Sequence, residues 1–111
     1  MNDATFLAAI LDLIDEPILV ADTDHVVRYM NRAAIAFYDG GSALLGTSLL
    51  DCHNEQSQHI ILEILDAMRE GEDERVFSDD GEQRVTMEAV RDREGRLLGY
   101  TERYEPPPAI A

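Results

Sequence analysis

The sequence predicts an α+β domain, a five-stranded antiparallel sheet with helices on one face and an N-terminal flanking helix. Three observations predict it. Short apolar segments that read as strands occupy both ends of the chain. One long amphipathic stretch lies between them. The last three strand-like segments are joined by Asp/Gly turns short enough only for antiparallel hairpins. A chain of 111 residues buries roughly two-thirds of the surface its unfolded form exposes, enough for one core.

The first element is a helix over Ala4 to Ile14, with Asp3 as its expected N-cap. Phe6, Leu7, Ile10, Leu11 and Ile14 recur at spacings of three and four, which places them on one face. Pro17 stops it, because the residue before a proline avoids the α region. Residues 1–15 are therefore set apart as a flanking segment. Ile18-Leu19-Val20-Ala21 is a compact strand, and Asp22-Thr23-Asp24 has the chemistry of a turn. His25 to Met30 is expected to form the second strand of that hairpin, with His25 exposed. Asn31 is an N-cap for a short helix over Arg32 to Tyr38, broken by Gly40-Gly41. A further turn follows through Leu45.

The longest helix is expected over Glu55 to Glu70. Ile60, Ile61, Ile64, Leu65 and Met68 form its apolar stripe, and Gly71 is placed to end it. Three strands follow, Arg75 to Ser78, Gln83 to Arg91 and Leu97 to Tyr104. In the middle one Val85, Met87 and Ala89 alternate with Arg84, Thr86 and Glu88, the pattern of a half-buried strand. The domain proper is read as residues 16–105, and 106–111 as a proline-rich tail.

Charge narrows the function. Nine basic residues, all arginine, against 23 acidic ones give a net charge of −14. Such a surface repels nucleic-acid phosphates and anionic lipid heads, so neither is an expected partner. No apolar run reaches the roughly 18 residues of a membrane span, and Met1-Asn2-Asp3-Ala4 lacks the basic start of a signal peptide; a cytoplasmic location is the expectation. Cys52 is the only cysteine, which precludes an internal disulfide.

The order and punctuation of these elements resemble the PAS family. The likeness rests on Pro17-Ile18-Leu19-Val20-Ala21-Asp22 followed by Val26-Val27-Arg28-Tyr29-Met30-Asn31. It rests also on Leu45-Gly46-Thr47-Ser48-Leu49-Leu50-Asp51 before the long helix, and on Val90 to Tyr100 as a closing hairpin. Cys52 to Ile61 is in addition similar to the Cys-His-Pro segment of PAS domains attached to hemerythrin-like proteins and some bacterial regulators, with Asn54 in place of the proline. The resemblance implies a sensory, non-catalytic module. It would bind a small ligand or cofactor between sheet and helices and signal to an output domain or a second copy. The homodimer face it implies is Phe6, Leu7, Ile10, Leu11 and Ile14.

His53 is the sharpest candidate site residue. It precedes the long helix, where a PAS pocket opens, and imidazole is the commonest axial ligand of haem iron. Met87 and Cys52 are the soft donors that could complete the coordination, and Tyr29 and Tyr100 are further pocket candidates. His59 falls opposite the apolar stripe and is expected in solvent. Cys52 lies between Asp51 and His53, outside the Asn-Cys-Arg-Phe-Leu-Gln motif of flavin-bonding relatives. Flavin is therefore not expected, and the thiol is read as a buried small hydrophobe. No histidine or cysteine pair has the spacing of a zinc site. A small enzyme on this fold would need an acid inside the core, but the acidic residues read as turns and polar helix faces.

Overall fold

The computed structural model describes residues 2–105; the proline-rich tail expected at 106–111 lies outside them. The elements are α1 (Asp3–Leu11), β1 (Ile18–Asp22), β2 (Val27–Met30), α2 (Arg32–Phe37), 3₁₀ turns at Gly41–Leu44 and Leu49–Cys52, α3 (Glu55–Arg69), β3 (Glu74–Asp79), β4 (Arg84–Arg91) and β5 (Leu97–Glu105). The five strands form one antiparallel sheet in the order β2-β1-β5-β4-β3. The chain lays down the β1–β2 hairpin and crosses through the helices to the far edge. It then returns by two hairpins, so that its last strand lies beside its first.

One face of the sheet meets α3. Ile61, Ile64, Leu65 and Met68 of that helix pack with Leu19, Ala21, Val27, Met30, Leu49, Met87 and Tyr100 into a single core. At ~1.5–3 kcal/mol for each large side chain removed from water, this contact is the main stabilising term. The ends of α3 are tied by side chains. Asn54 caps its start by accepting from Ser57 N at 2.8 Å, and the Arg91 guanidinium donates to the Met68 carbonyl at 2.7 Å, satisfying a terminal acceptor.

Three local readings change. The first helix ends at Leu11, three residues short of Ile14, with Asp12 as its C-cap. Asn2 caps α1, accepting from Thr5 N at 2.7 Å; Asp3 is instead the first helical residue. His25 is buried, 8% exposed, and takes a left-handed φ of 68°. The Asp22 side chain accepts from Asp24 N and Val26 N and tightens the turn. The tightened turn carries the His25 ring inward, where Nδ1 lies 2.8 Å from the Tyr100 hydroxyl. Burial, and then the nearby Arg69, depress the His25 pKa. Tyr100→Phe is expected to lower stability by about 1–2 kcal/mol by orphaning this nitrogen, read as a lower urea midpoint at pH 7.

Gly99 has a packing reason. A Cβ there would collide with the Ala21 carbonyl oxygen of the adjacent strand, so β1 and β5 close only over a residue without a side chain.

The helix α1 buries none of its own residues. It is fastened to the β2–α2 junction by polar contacts. The Tyr29 hydroxyl donates to Ala8 O at 3.1 Å, and Arg32 N donates to Asp12 Oδ1 at 2.7 Å. Asn31 Nδ2 reaches the carbonyls of Leu11, Ile14 and Glu16. Among the described residues, no helix is long and apolar enough to cross a membrane.

Candidate functional site

Strand periodicity puts Tyr100, Glu102 and Tyr104 of β5 on one face of the sheet, the face that carries the core. Their cross-strand neighbours are Ala89, Met87 and Val85 on β4, and Leu19 of β1 also lies opposite Glu102. Glu102 is thus a carboxylic acid inside the fold, 1% exposed. The expectation that acids would keep to turns and helix faces fails at this residue.

Glu102 is held through one oxygen and leaves the other facing His53. The Tyr38 hydroxyl, at the end of α2, donates to Oε1 at 2.8 Å. The other oxygen, Oε2, has no hydrogen-bond partner among the described residues. It faces His53 Nε2 across 3.8 Å, too far for a hydrogen bond. Burial raises the Glu102 pKa; the Tyr38 hydrogen bond, the His53 imidazole and Tyr104 offset it in part. Burial, then the same carboxyl, pushes the Tyr38 phenol far above its usual range.

The loop before α3 places His53. Its Nδ1 lies 3.0 Å from the Leu49 carbonyl. A carbonyl only accepts, so this contact places a proton on Nδ1, and in the neutral ring the lone pair then lies on Nε2. The Gln58 amide donates to the carbonyls of Leu50 and His53, which pins the loop to α3. Asn54, next in the chain, is the cap of α3.

These groups wall a cavity of about 290 Å³ between sheet, α2 and the 3₁₀ turns. Its apolar lining is Leu19, Val27, Leu44 and Leu49, and its polar lining is Tyr38, Asp39, Cys52, His53, Glu102 and Tyr104. A larger depression of about 690 Å³ opens on the surface beside Pro17, Phe37 and Glu105. That groove is wide and open, without a buried unpaired polar group among its lining residues, and the smaller, more sheltered cavity is the better candidate.

His53 and Cys52 both line the cavity. The thiol is exposed, however, not buried as expected, because the 3₁₀ turn at Leu49–Cys52 leaves it on the rim. Partial burial, then the carboxylates of Glu102 and Asp51, push the thiol pKa up, away from the reactive thiolate. Met87 is fully buried in the core and is not among the lining residues. Tyr29 is spent on α1. His59 is exposed, as its helical phase predicts. Tyr38 and Glu102 escaped the sequence reading, though period-two alternation from Tyr100 was a signal for Glu102.

The residues present do not fit a haem. The Glu102 carboxyl stands in the space before His53 Nε2 that iron and a macrocycle would need. The cavity is also at the bottom of the roughly 300–1,000 Å³ range of sites for drug-sized ligands. Among the described residues no three His, Cys, Asp or Glu side chains are arranged to hold a metal ion.

The PAS_4 family, described as a PAS fold, matches residues 11–106. The chain belongs to this family. PAS domains are in general sensory, non-catalytic modules of signalling proteins. Solved structures agree on the fold. The PAS domain of a protein from Colwellia psychrerythraea superposes with a TM-score of 0.70 at 12% identity, over 95% of this chain and 97% of that one. A C-terminal domain from Streptococcus mutans gives 0.73 at 21% identity, over 93% and 84%. The PAS domain of nitrogen regulation protein NR(II) from Vibrio parahaemolyticus gives 0.62 at 21% identity, over 90% and 96%. No curated protein matches the chain.

Proposed function

We propose that this PAS domain is a sensory module that takes up a small ligand between sheet and helices and passes its state to a second copy or an output domain through α1. The observation that carries the reading is the unpaired Oε2 of Glu102 in the cavity wall. Packing alone gives no reason to bury a carboxyl oxygen without a partner, and a bound molecule would supply one. The Cys-His-Pro-like segment supports the same site, since it delivers His53 to that wall.

The dimer half of the proposal rests on α1. Phe6, Leu7, Ile10 and Leu13 are 57%, 59%, 45% and 80% exposed, while Leu11 and Ile14 are half-covered by the domain. A nine-residue helix is well below the roughly 12–15 residues that hold an isolated helix in water. A second copy of the same apolar face would cover it. Sedimentation at micromolar concentration is expected to show a dimer that dissociates on deletion of residues 1–14 or in Ile10→Glu. With a net charge of −14 on each copy, association should tighten as salt screens the repulsion. A monomer at every salt concentration would remove the dimer from the proposal. For the ligand half, native mass spectrometry of freshly purified protein should find a small molecule retained, with no Soret band in the absorption spectrum.

A further inference from the structure

We infer that the cavity selects a small organic cation, an alkyl- or arylalkyl-ammonium ion whose N–H groups bridge Glu102 Oε2 and His53 Nε2. The inference rests on the sensory reading above and adds the class of ligand.

Donors and acceptors decide it. The Tyr38 hydroxyl is committed to Oε1, and the His53 ring proton is committed to the Leu49 carbonyl. With the His53 ring neutral, what remains toward the gap is the Nε2 lone pair and the unpaired Oε2, 3.8 Å apart, with Tyr104 beside them in the wall. Two acceptor sites at that separation suit one nitrogen carrying two or more hydrogens. No arginine lines the cavity and the chain has no lysine, whereas Asp39 and Glu102 both do. An anionic ligand would meet carboxylates with no counter-charge.

The remaining wall matches the rest of such a molecule. The Tyr38 and Tyr104 rings meet edge to face with centroids 5.7 Å apart, and aromatic faces attract ammonium groups. Leu19, Val27, Leu44 and Leu49 offer an apolar bed for a short hydrocarbon. A cavity of 290 Å³ corresponds to about ten water volumes at roughly 30 Å³ each, which limits the ligand to roughly that many non-hydrogen atoms.

Proton accounting gives a second signature. Burial favours the neutral acid at Glu102. An ammonium ion brings the compensating charge, so in the pH range where Glu102 still holds its proton, that proton leaves to the buffer as the cation binds and Oε2 becomes an acceptor.

Three probes test this on the full 111-residue chain: 2-phenylethylammonium, neutral 2-phenylethanol and anionic phenylacetate. Amide chemical shifts locate binding, and calorimetry in two buffers of different ionisation enthalpy counts protons. All binding is expected to shift Leu19, Val27 and Leu49. The ammonium should bind about tenfold or more tightly than the alcohol and release protons in the pH range where Glu102 is protonated before binding. Glu102→Gln should erase that preference, and His53→Gln should reduce it. Alcohol or phenylacetate binding as tightly as the ammonium would overturn the cation assignment and leave a ligand cavity standing. If no probe shifts any wall residue, the cation assignment and the ligand reading both fall.

Discussion

Replacing Asn31 with alanine is expected to cost about 3–5 kcal/mol of folding stability, read from urea unfolding at neutral pH. Asn31 is fully buried and every polar atom of its side chain is used. Oδ1 accepts from Ile18 N at 3.0 Å and from Ala34 N at 2.9 Å, joining the start of β1 to the start of α2. Nδ2 donates toward the carbonyls of Leu11 at 3.3 Å, Ile14 at 3.2 Å and Glu16 at 3.0 Å. Alanine removes the helix cap and strands a buried Ile18 N–H. It also releases the segment that links α1 to the sheet.

Asn31→Asp separates these parts. Aspartate keeps the acceptor for Ile18 and Ala34 but sets a carboxylate against three carbonyl oxygens. It should therefore lose the α1 anchor while keeping the α2 cap, and weaken dimerisation along with stability. A loss below about 1 kcal/mol in Asn31→Ala, within the range of one exposed cap, would show that the network is not what holds the N-terminal segment.

How legible the molecule was depends on how local the determinants are. The strands and α3 follow from period two, period 3.6 and turn residues within a few positions, so these elements lie within a residue or two of expectation. Asn31 was legible as a cap because Ala34 is three residues away; its other partners lie 13 to 20 residues distant and needed the fold. His53 was legible from its place before α3. Glu102 was not, because a charge in a strand suggests solvent unless its neighbours on the same face are weighed. Tyr100 and Tyr104 flank it two residues to either side, and that alternation was the available signal. His25 and Cys52 turned out reversed, the first buried and the second exposed. In both cases a backbone turn set the side chain's direction, and hydrophobicity carried no information about it.

Glu102→Gln is expected to stabilise the domain at neutral pH by about 1–3 kcal/mol, the scale of a buried polar group left without its partner. Glutamine keeps an oxygen for the Tyr38 hydroxyl and places an uncharged N–H group where the carboxylate oxygen faced His53. The pH dependence identifies the cause. Because burial raises the Glu102 pKa, the folded chain holds a proton that the unfolded chain has already lost. Stability contributed by this group is therefore complete below the ordinary glutamate value. It falls as pH rises through the raised one, and above that pH a constant cost remains. The variant has no such proton. Its advantage over the parent should be small in acid, grow as pH rises from the ordinary glutamate range, and then level off. Subtracting the two urea-stability profiles removes the titration of His25 and of the other groups common to both chains. A difference that stays flat with pH would mean that Glu102 is ionised and satisfied in the fold, and the cavity would then lack the unpaired acceptor on which its ligand chemistry depends.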